Sequence, residues 1–291
     1  MATKIDIDAL RRDLGRKAVE HDEASAAPMH SLALTFDRDE PVPGRGQPVP
    51  PGWHLAYFLP RIRRSGLGPD GAPMDTGVLP PMPLPRRMYA GATLTFHAPI
   101  LVGDTLRRET EFTDLQQREG GTGLLLVAEV TRRIYTERGL ALTEQARTVF
   151  REAVPAGAKS VIPRREAPPL GLPWCRTIAT DPVTLFRYSA VTFNAHRIHY
   201  DQPYATKQEG YPGLVVHGPF SQQCLMDLLR DNIPDQRISS FTMRARAPLF
   251  ETAPFTVQGR PTQNGNAAEL WAAGPEGTIA MQAEATLAPA A

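Results

Sequence analysis

The feature of this sequence that most constrains its fold is a weak internal repeat. The stretch SLALTFDRDE (31–40) aligns with YSAVTFNAHR (188–197) at a constant offset of 157 residues, so that Asp37 falls on Asn194. Two further pairs follow in the same order: TFHAPILVGDTL (95–106) with MRARAPLFETAPF (243–255), and GLALTEQARTV (139–149) with GTIAMQAEATL (277–287). Three matches in one order predict a duplicated unit of roughly 140 residues, which is a usual domain size.

The two units share a predicted order of elements. Each opens into a helix and continues with strands, in which apolar and polar residues alternate between turns. In the second unit, apolar residues recur at helical spacing from Phe220 to Leu229. In the first unit, the aromatic residues between Trp53 and Phe58 predict the core of the corresponding helix. We therefore expect an α+β fold in which an antiparallel sheet wraps a central helix in each unit.

Proline-rich segments predict the loops and one linker. The chain has 29 prolines in 291 residues, well above the average of about 5%. They cluster in residues 40–52, 69–85 and 161–173, and proline fits neither helix interiors nor central strands. The predicted organisation is a first unit (1–155), a linker (156–173) and a second unit (174–291).

The bulk composition excludes several classes of protein. A net charge of +1 argues against a general nucleic-acid or membrane-surface binder. No apolar run approaches the roughly 20 residues that span a bilayer, and the first 17 residues predict a short amphipathic helix rather than a signal peptide. Cys175 and Cys224, the two cysteines of the chain, stand in unrelated contexts and suit a reducing cytosol. We expect a cytoplasmic protein without a disulfide framework.

The densest chemistry of the sequence is FNAHRIHYD, residues 193–201. An amide, two imidazoles, a guanidinium and a carboxylate could form a metal site, a proton-transfer site or an ordinary polar loop. His196, His199 and Asp201 lack the i, i+4 spacing of a helical pair of metal ligands, and no distant ligand cluster accompanies them. We therefore expect no metal here.

The segment from Ser189 to Asp201, followed by YA and GLVVHGPF, resembles the MaoC-like, (R)-specific enoyl-CoA hydratase family. That family has an aspartate five residues before a histidine and a second aspartate two residues later; here these positions hold Asn194, His199 and Asp201. The family glycine at the start of the central helix corresponds to Gly218 in VVHG. The doubled chain is similar to the subgroup of mesaconyl-C4-CoA, 3-methylfumaryl-CoA and itaconyl-CoA hydratases.

The resemblance implies a double hot-dog fold, in which each of two tandem units is a long helix wrapped by an antiparallel sheet. It also implies an acyl-CoA substrate, with CoA as part of the substrate and neither a metal nor a redox cofactor. Hot-dog sheets tend to pair, so a homo-oligomer, a dimer or larger, is expected. No nucleic-acid or membrane partner is expected.

Hydration of an enoyl thioester needs a positioned water, a base and donors for the growing oxyanion. A histidine that titrates near neutrality suits the base, which is the role predicted for His199. Asn194 cannot accept a proton as the family aspartate can, so we expect it to hold the water; the alternative is a turn residue. The N–H of Gly218 at a helix start is the predicted oxyanion donor. His196 or Asp201 could instead supply a second proton-transfer group.

Other polar residues of this region are predicted to support the site. His196, Arg197 and Asp201 are expected to be structural, with Asp201 either orienting an imidazole or capping the helix that starts at Pro203. His217 is expected to pack or to form a hydrogen bond at the start of the long helix.

Arg86 and Arg87 stand in a proline-bounded loop of the first unit. Paired guanidiniums would suit a substrate carboxylate or a CoA phosphate; solvated charge or a structural ion pair is the alternative. The first unit itself should be catalytically silent, because the offset of 157 places Val42, which has no imidazole, opposite His199. Its expected role is to complete the hot-dog pair and form one wall of the acyl tunnel.

Two other functions remain compatible with these residues. One is a dehydratase that acts on 3-hydroxyacyl chains of an acyl carrier protein. The other is a non-catalytic acyl-thioester-binding protein with a damaged site, which the asparagine at position 194 keeps open.

Overall fold

The structure is a computed structural model that describes residues 5–75, 77–120, 123–152 and 166–289. One antiparallel sheet is built from ten strands: β1 (Lys17–Glu23), β2 (Arg86–Phe96), β3 (Thr105–Gly120), β4 (Gly123–Thr136), β5 (Gly139–Arg151), β6 (Trp174–Ile178), β7 (Gln236–Ala245), β8 (Phe255–Pro261), β9 (Ala267–Ala273) and β10 (Ile279–Pro289). The α-helices are α1 (Ile7–Arg11), α2 (Ala26–Thr35), α3 (Pro182–Val191) and α4 (Gly218–Asn232). Among the described residues, no helix is long and apolar enough to cross a bilayer.

The strand order shows the duplication directly. The sheet runs β1-β3-β4-β5-β2-β7-β10-β9-β8-β6. Counted inward from its two edges, the order is β1-β3-β4-β5-β2 on one side and β6-β8-β9-β10-β7 on the other, so the first strand of each half is followed by its third, fourth, fifth and second. The two halves meet where β2 pairs with β7, from Gly91 opposite Arg244 to Thr95 opposite Ser240. The matched stretches of the sequence occupy equivalent places, at the ends of β2 and β7 and along β5 and β10. This is the expected double hot-dog.

Helices α2 and α3 end in the same kind of turn. In α2 the N–H of Arg38 bonds to the carbonyl of Ala33, and in α3 the N–H of Asn194 bonds to that of Ser189, as in a Schellman motif. The left-handed residue of this motif is Asp37 in the first unit and Phe193 in the second. The alignment of Asp37 with Asn194 was therefore wrong by one residue, because the turn comes one residue earlier in the second unit.

The long helix α4 lies across the inner face of the sheet. It contacts β6, β8, β9 and β10, and its apolar residues join one core cluster with α2, α3 and both halves of the sheet. The predicted helical row from Phe220 to Leu229 is buried. Burial of this row is the main force that holds the helix in place.

The first unit has no helix equivalent to α4 within its described residues. Residues 61–75 form a loop with one short 3₁₀ turn, Arg64–Gly66, and the predicted helix start is a single 3₁₀ turn, Trp53–Ala56. The prediction of a second long helix was wrong, because prolines and glycines interrupt this stretch at positions 60, 66, 68, 69, 71 and 73. The aromatic residues are buried as expected, and the Trp53 Nε1 donates to Asp227 of α4 at 3.2 Å.

The predicted N-terminal helix is present as α1, which packs Ile7 and Leu10 against a second apolar cluster on the sheet. Residues 153–165 lie outside the described part of the chain, and they include most of the predicted linker 156–173. The boundaries proposed for the two units therefore stay predictions.

Candidate active site

The turn after α3 positions Asn194. Phe193 adopts a left-handed conformation at φ 51°, which costs a non-glycine residue about 1–2 kcal/mol and turns the chain sharply. The Asn194 Oδ1 then accepts the backbone N–H of His196 at 3.0 Å. The turn-stabilising contact considered for this asparagine is thus present, and it leaves the two N–H groups of Nδ2 as donors.

His199 closes the next turn, the 3₁₀ segment Arg197–His199. Its Nδ1 lies 2.7 Å from the carbonyl oxygen of Val215. Because a carbonyl can only accept, Nδ1 carries the proton and Nε2 keeps its lone pair. Burial lowers the pKa of His199 to about 3, so the imidazole is neutral at physiological pH.

Two further imidazoles surround His199. His217 stacks on it with ring centroids 3.7 Å apart, and His196 meets it edge-on at 5.6 Å. The Nε2 of His217 lies 2.9 Å from the Ser189 hydroxyl, and burial holds the pKa of His217 well below its usual range. Because neighbouring positive charges repel each other, at most one of the three imidazoles is expected to be protonated to its charged form at a time.

A cavity of about 690 Å³ opens beside these residues. Its walls come from the loop that replaces the first unit's helix, from α3 with the turn after it, and from the start of α4. Asn194, His217 and Ser189 line it, and the ring of His199 stacks on that of His217. The first unit therefore forms one wall of the cavity; that this wall encloses an acyl group stays a prediction.

Gly218 begins α4 between the cavity-lining residues His217 and Pro219. Its N–H belongs to the first turn of the helix and has no intrahelical acceptor. A Cβ on Gly218 would lie 2.8 Å from the Tyr89 ring, and the Tyr89 hydroxyl donates to Gln222 of α4. A side chain at this position would therefore collide with Tyr89 of the first unit.

The loop of residues 69–71 in the first unit contacts the turn that follows α3, residues 193–197. The N–H of Arg197 donates to the carbonyl of Asp70 at 2.8 Å, and its Nη1 donates to that of Pro69 at 2.9 Å. Gly71 packs so closely that a Cβ there would lie 1.9 Å from the carbonyl oxygen of Ala195. The Nε2 of His196 lies 3.8 Å from the Asp70 carboxylate. Arg197 and His196 therefore contribute to the docking of the two units.

Asp201 has the capping contact that the sequence suggested. Its Oδ1 accepts the N–H of Tyr204 at 3.1 Å, where a short π-helix, Tyr204–Gln208, begins. Its Oδ2 pairs with Arg197 at 2.8 Å. Both bonds lower the pKa of Asp201, so this carboxylate is ionised and engaged with the loop rather than with an imidazole.

Arg86 and Arg87 do not form a guanidinium pair. They are the first residues of β2 rather than of a loop, and neighbouring side chains of a strand point to opposite faces. Arg86 donates to the Tyr211 hydroxyl at 2.8 Å and pairs with Glu209 at 2.9 Å, which is the structural ion pair considered as its alternative. Burial lowers the pKa of Arg87.

Two cavity residues, Ser189 and Arg132, were missed as site residues by the sequence reasoning. Ser189 opens the segment that carries the family resemblance, but no charge marks it. Arg132 stands between the buried Val130 and Ile134 in the alternating row of β4, and a charged residue in such a row was a usable signal. Among the described residues, no group of three histidines, cysteines or carboxylates could hold a metal ion.

Comparisons with known proteins agree with this geometry. The family model of hydroxyacyl-thioester dehydratase type 2 matches residues 52–251. Mesaconyl-C(4)-CoA hydratase of Chloroflexus aurantiacus is 42% identical over 275 residues, covering 94% of this chain and 96% of that protein. The mitochondrial hydroxyacyl-thioester dehydratase type 2 of Schizosaccharomyces pombe is 27% identical over 283 residues, covering 84% of this chain and 90% of that protein.

A solved structure extends the comparison to the fold. The MaoC-like dehydratase of Phytophthora capsici superposes with a TM-score of 0.66 at 14% identity, covering 99% of this chain and all of that one. Sequence and fold together place the chain among enzymes that add or remove water. The protein belongs to the hydroxyacyl-thioester dehydratase type 2 family of MaoC-like hydratases.

Proposed function

We propose that this protein catalyses the reversible hydration of a branched or dicarboxylic enoyl-CoA thioester, with mesaconyl-C4-CoA as the first candidate and itaconyl-CoA as the second. The identity of 42% to mesaconyl-C(4)-CoA hydratase supports the substrate class. The observation that supports the chemistry is the neutral His199, whose Nδ1 is bonded to Val215 and whose ring stacks on the cavity-lining His217.

In the proposed reaction, Asn194 donates an N–H from Nδ2 to the oxygen of a water molecule. The Nε2 of His199 takes one proton from this water while the oxygen bonds to the β-carbon of the thioester. The negative charge that develops on the thioester oxygen is stabilised by the N–H of Gly218 and the positive end of α4. His199 then returns its proton to the α-carbon, and the reverse sequence is dehydration.

The pKa of His199 is lower than the near-neutral value that the sequence led us to expect of the base, because burial disfavours the charged imidazolium. A base of pKa about 3 is a weak acceptor, so removal of the proton depends on simultaneous bond formation at the β-carbon. The imidazolium that results is a strong acid and gives its proton to the α-carbon readily. We infer from this balance that proton transfer and addition of water are closely coupled.

A 3-hydroxyacyl-thioester dehydratase is the second candidate. The family model and the relative of Schizosaccharomyces pombe carry that name, and the same residues would serve because the chemistry is the reverse reaction. The substrate carrier, CoA or acyl carrier protein, separates the two. A non-catalytic acyl-CoA-binding role, a cytoplasmic location and assembly into a homo-oligomer stay predictions.

The test is hydration of mesaconyl-C4-CoA, itaconyl-CoA and crotonyl-CoA, followed by loss of enoyl absorbance. We expect His199→Ala to lower kcat by about 10²–10⁴-fold, the usual contribution of a general base, while the variant still folds cooperatively. Asp37→Asn should retain wild-type activity, because Asp37 is exposed and outside the cavity beside Asn194.

Two results would contradict the proposal. Substantial activity in His199→Ala would remove this residue as the base. Binding of the CoA esters by the wild-type protein without turnover would favour the non-catalytic role instead.

A further inference from the structure

Arg132 is a charged residue on the inner face of the first unit's sheet. It lines the same cavity as Asn194 and His217, although it is far from both in sequence. The residue directly opposite it in the register of β4 and β5 is Glu144. The Arg132 Nη1 donates to the Glu144 Oε2 at 3.1 Å.

The guanidinium of Arg132 is only partly used by the protein. Arginine has five N–H donors, and within the described residues the bond to Glu144 is the hydrogen bond of this side chain. The Arg132 side chain is 31% exposed, whereas that of Glu144 is 7% exposed. The carboxylate is thus buried, whereas Arg132 lines the cavity and is open to solvent there.

A buried histidine and a second arginine lie in the surroundings of this pair. Burial lowers the pKa of His54, which lies near both residues, to about 4, and its Nε2 is buried without a hydrogen-bond partner. Arg64, on the loop of residues 61–75, also lines the cavity. A buried ion pair contributes little to stability compared with an apolar pair of the same size, so folding alone does not account for it.

We propose that Arg132 binds the free carboxylate of a dicarboxylic enoyl thioester and thereby selects substrates that carry a carboxylate on the β-carbon. This assignment rests on the proposed hydratase function and names the determinant of its substrate class. A carboxylate matches the planar donor pair of a guanidinium, and Glu144 holds that guanidinium in a fixed orientation. Arg64 supplies a second positive charge in the lining of the same cavity.

A CoA phosphate fits this place less well. A phosphate carries more charge than a carboxylate, and this cavity has a mostly apolar exposed wall, which makes the loss of phosphate hydration more costly. The carboxylate of mesaconyl-C4-CoA is attached to the carbon that water attacks. It must therefore lie close to Asn194, in the same cavity.

The experiment compares two thioesters that differ only at this group. Mesaconyl-C4-CoA carries a carboxylate and a methyl group on the β-carbon, and 3-methylcrotonyl-CoA carries two methyl groups. The variant is Arg132→Met combined with Glu144→Gln, since removal of the arginine alone would leave a buried carboxylate unpaired. We expect kcat/KM for mesaconyl-C4-CoA to fall about 10–100-fold, the range of a charged hydrogen bond, and the value for 3-methylcrotonyl-CoA to change less than about threefold.

The chain offers a matched control in the next residue of β4. Arg133 pairs with Glu111 at 3.0 Å, and it points to the opposite face of the strand. Arg133→Met combined with Glu111→Gln removes an ion pair of the same kind and should affect neither substrate. If the wild-type protein does not turn over 3-methylcrotonyl-CoA, its inhibition constant against mesaconyl-C4-CoA replaces kcat/KM.

Equal losses for the two thioesters, with an unchanged unfolding transition, would overturn the proposal, because they would show a role in CoA binding or in general architecture. Undiminished activity toward mesaconyl-C4-CoA would overturn it as well. Failure of the hydratase function gives a different result, in which the wild-type protein hydrates neither thioester.

Discussion

Gly71→Ala tests whether the first unit holds the site turn in place. Gly71 adopts φ +80°, and a Cβ there would lie 1.9 Å from the carbonyl oxygen and 3.0 Å from the carbonyl carbon of Ala195. Both are backbone atoms, so no side chain can rotate out of the way. The loop and the turn that carries Asn194 would have to separate by about 1 Å before the contact became tolerable.

The magnitude follows from the bonds that this separation breaks. An alanine in the left-handed region costs about 1–2 kcal/mol. Loss of the bond from the Arg197 N–H to Asp70 costs about 0.5–1.5 kcal/mol, and loss of the charged bond from its Nη1 to Pro69 costs about 1.5–3 kcal/mol. The total loss of stability is therefore about 3–6.5 kcal/mol. A displacement of about 1 Å at a catalytic group can cost about 10²-fold in rate, so kcat/KM should fall at least that far.

The assay is enoyl-CoA hydration together with unfolding in urea, and Gly77→Ala is the control. Gly77 also has a positive φ, of 73°, but nothing lies within 4 Å of the position of its Cβ. The control should lose only about 1–2 kcal/mol from conformation and keep its activity. Equal effects of the two variants on stability and on rate would refute the role of the contact between Gly71 and Ala195.

Two further predictions concern buried polar groups. Burial raises the pKa of Asp227 from 3.8 to about 6, so the folded protein binds this proton more tightly than the unfolded chain does. The free energy of unfolding of the wild type should therefore fall by up to about 3 kcal/mol as pH rises from 4 to 6. Asp227→Asn removes this dependence, and urea unfolding at both pH values should show it; a constant difference between variant and wild type would contradict it. Ser189→Ala should cost about 1–3 kcal/mol, because it removes the Nε2 partner of His217, whose Nδ1 is already without one; unchanged stability would show that another group replaces the hydroxyl.

The alignment of the repeat was accurate for strands and inaccurate for turns. Strand pairing follows an alternating pattern that the sequence displays, so the equivalence of β5 and β10 could be predicted. The turn after α3 depends on which residue takes the left-handed conformation, and Phe193 is a residue that local propensity would not choose. The prolines and glycines of residues 60–73 indicate a loop, whereas the aromatic residues before them led to the prediction of a long helix.

The sequence by itself determined the duplicated architecture, the family and the segment around Asn194 and His199, because these depend on local patterns and on motif spacing. Only the tertiary structure decided what surrounds that segment. Arg86 proved to be committed to Glu209, Tyr89 filled the space beside Gly218, and Arg132 entered the cavity. These contacts join residues more than 60 positions apart. Such pairings depend on how the sheet curves and on how two units meet, which no short stretch of sequence specifies.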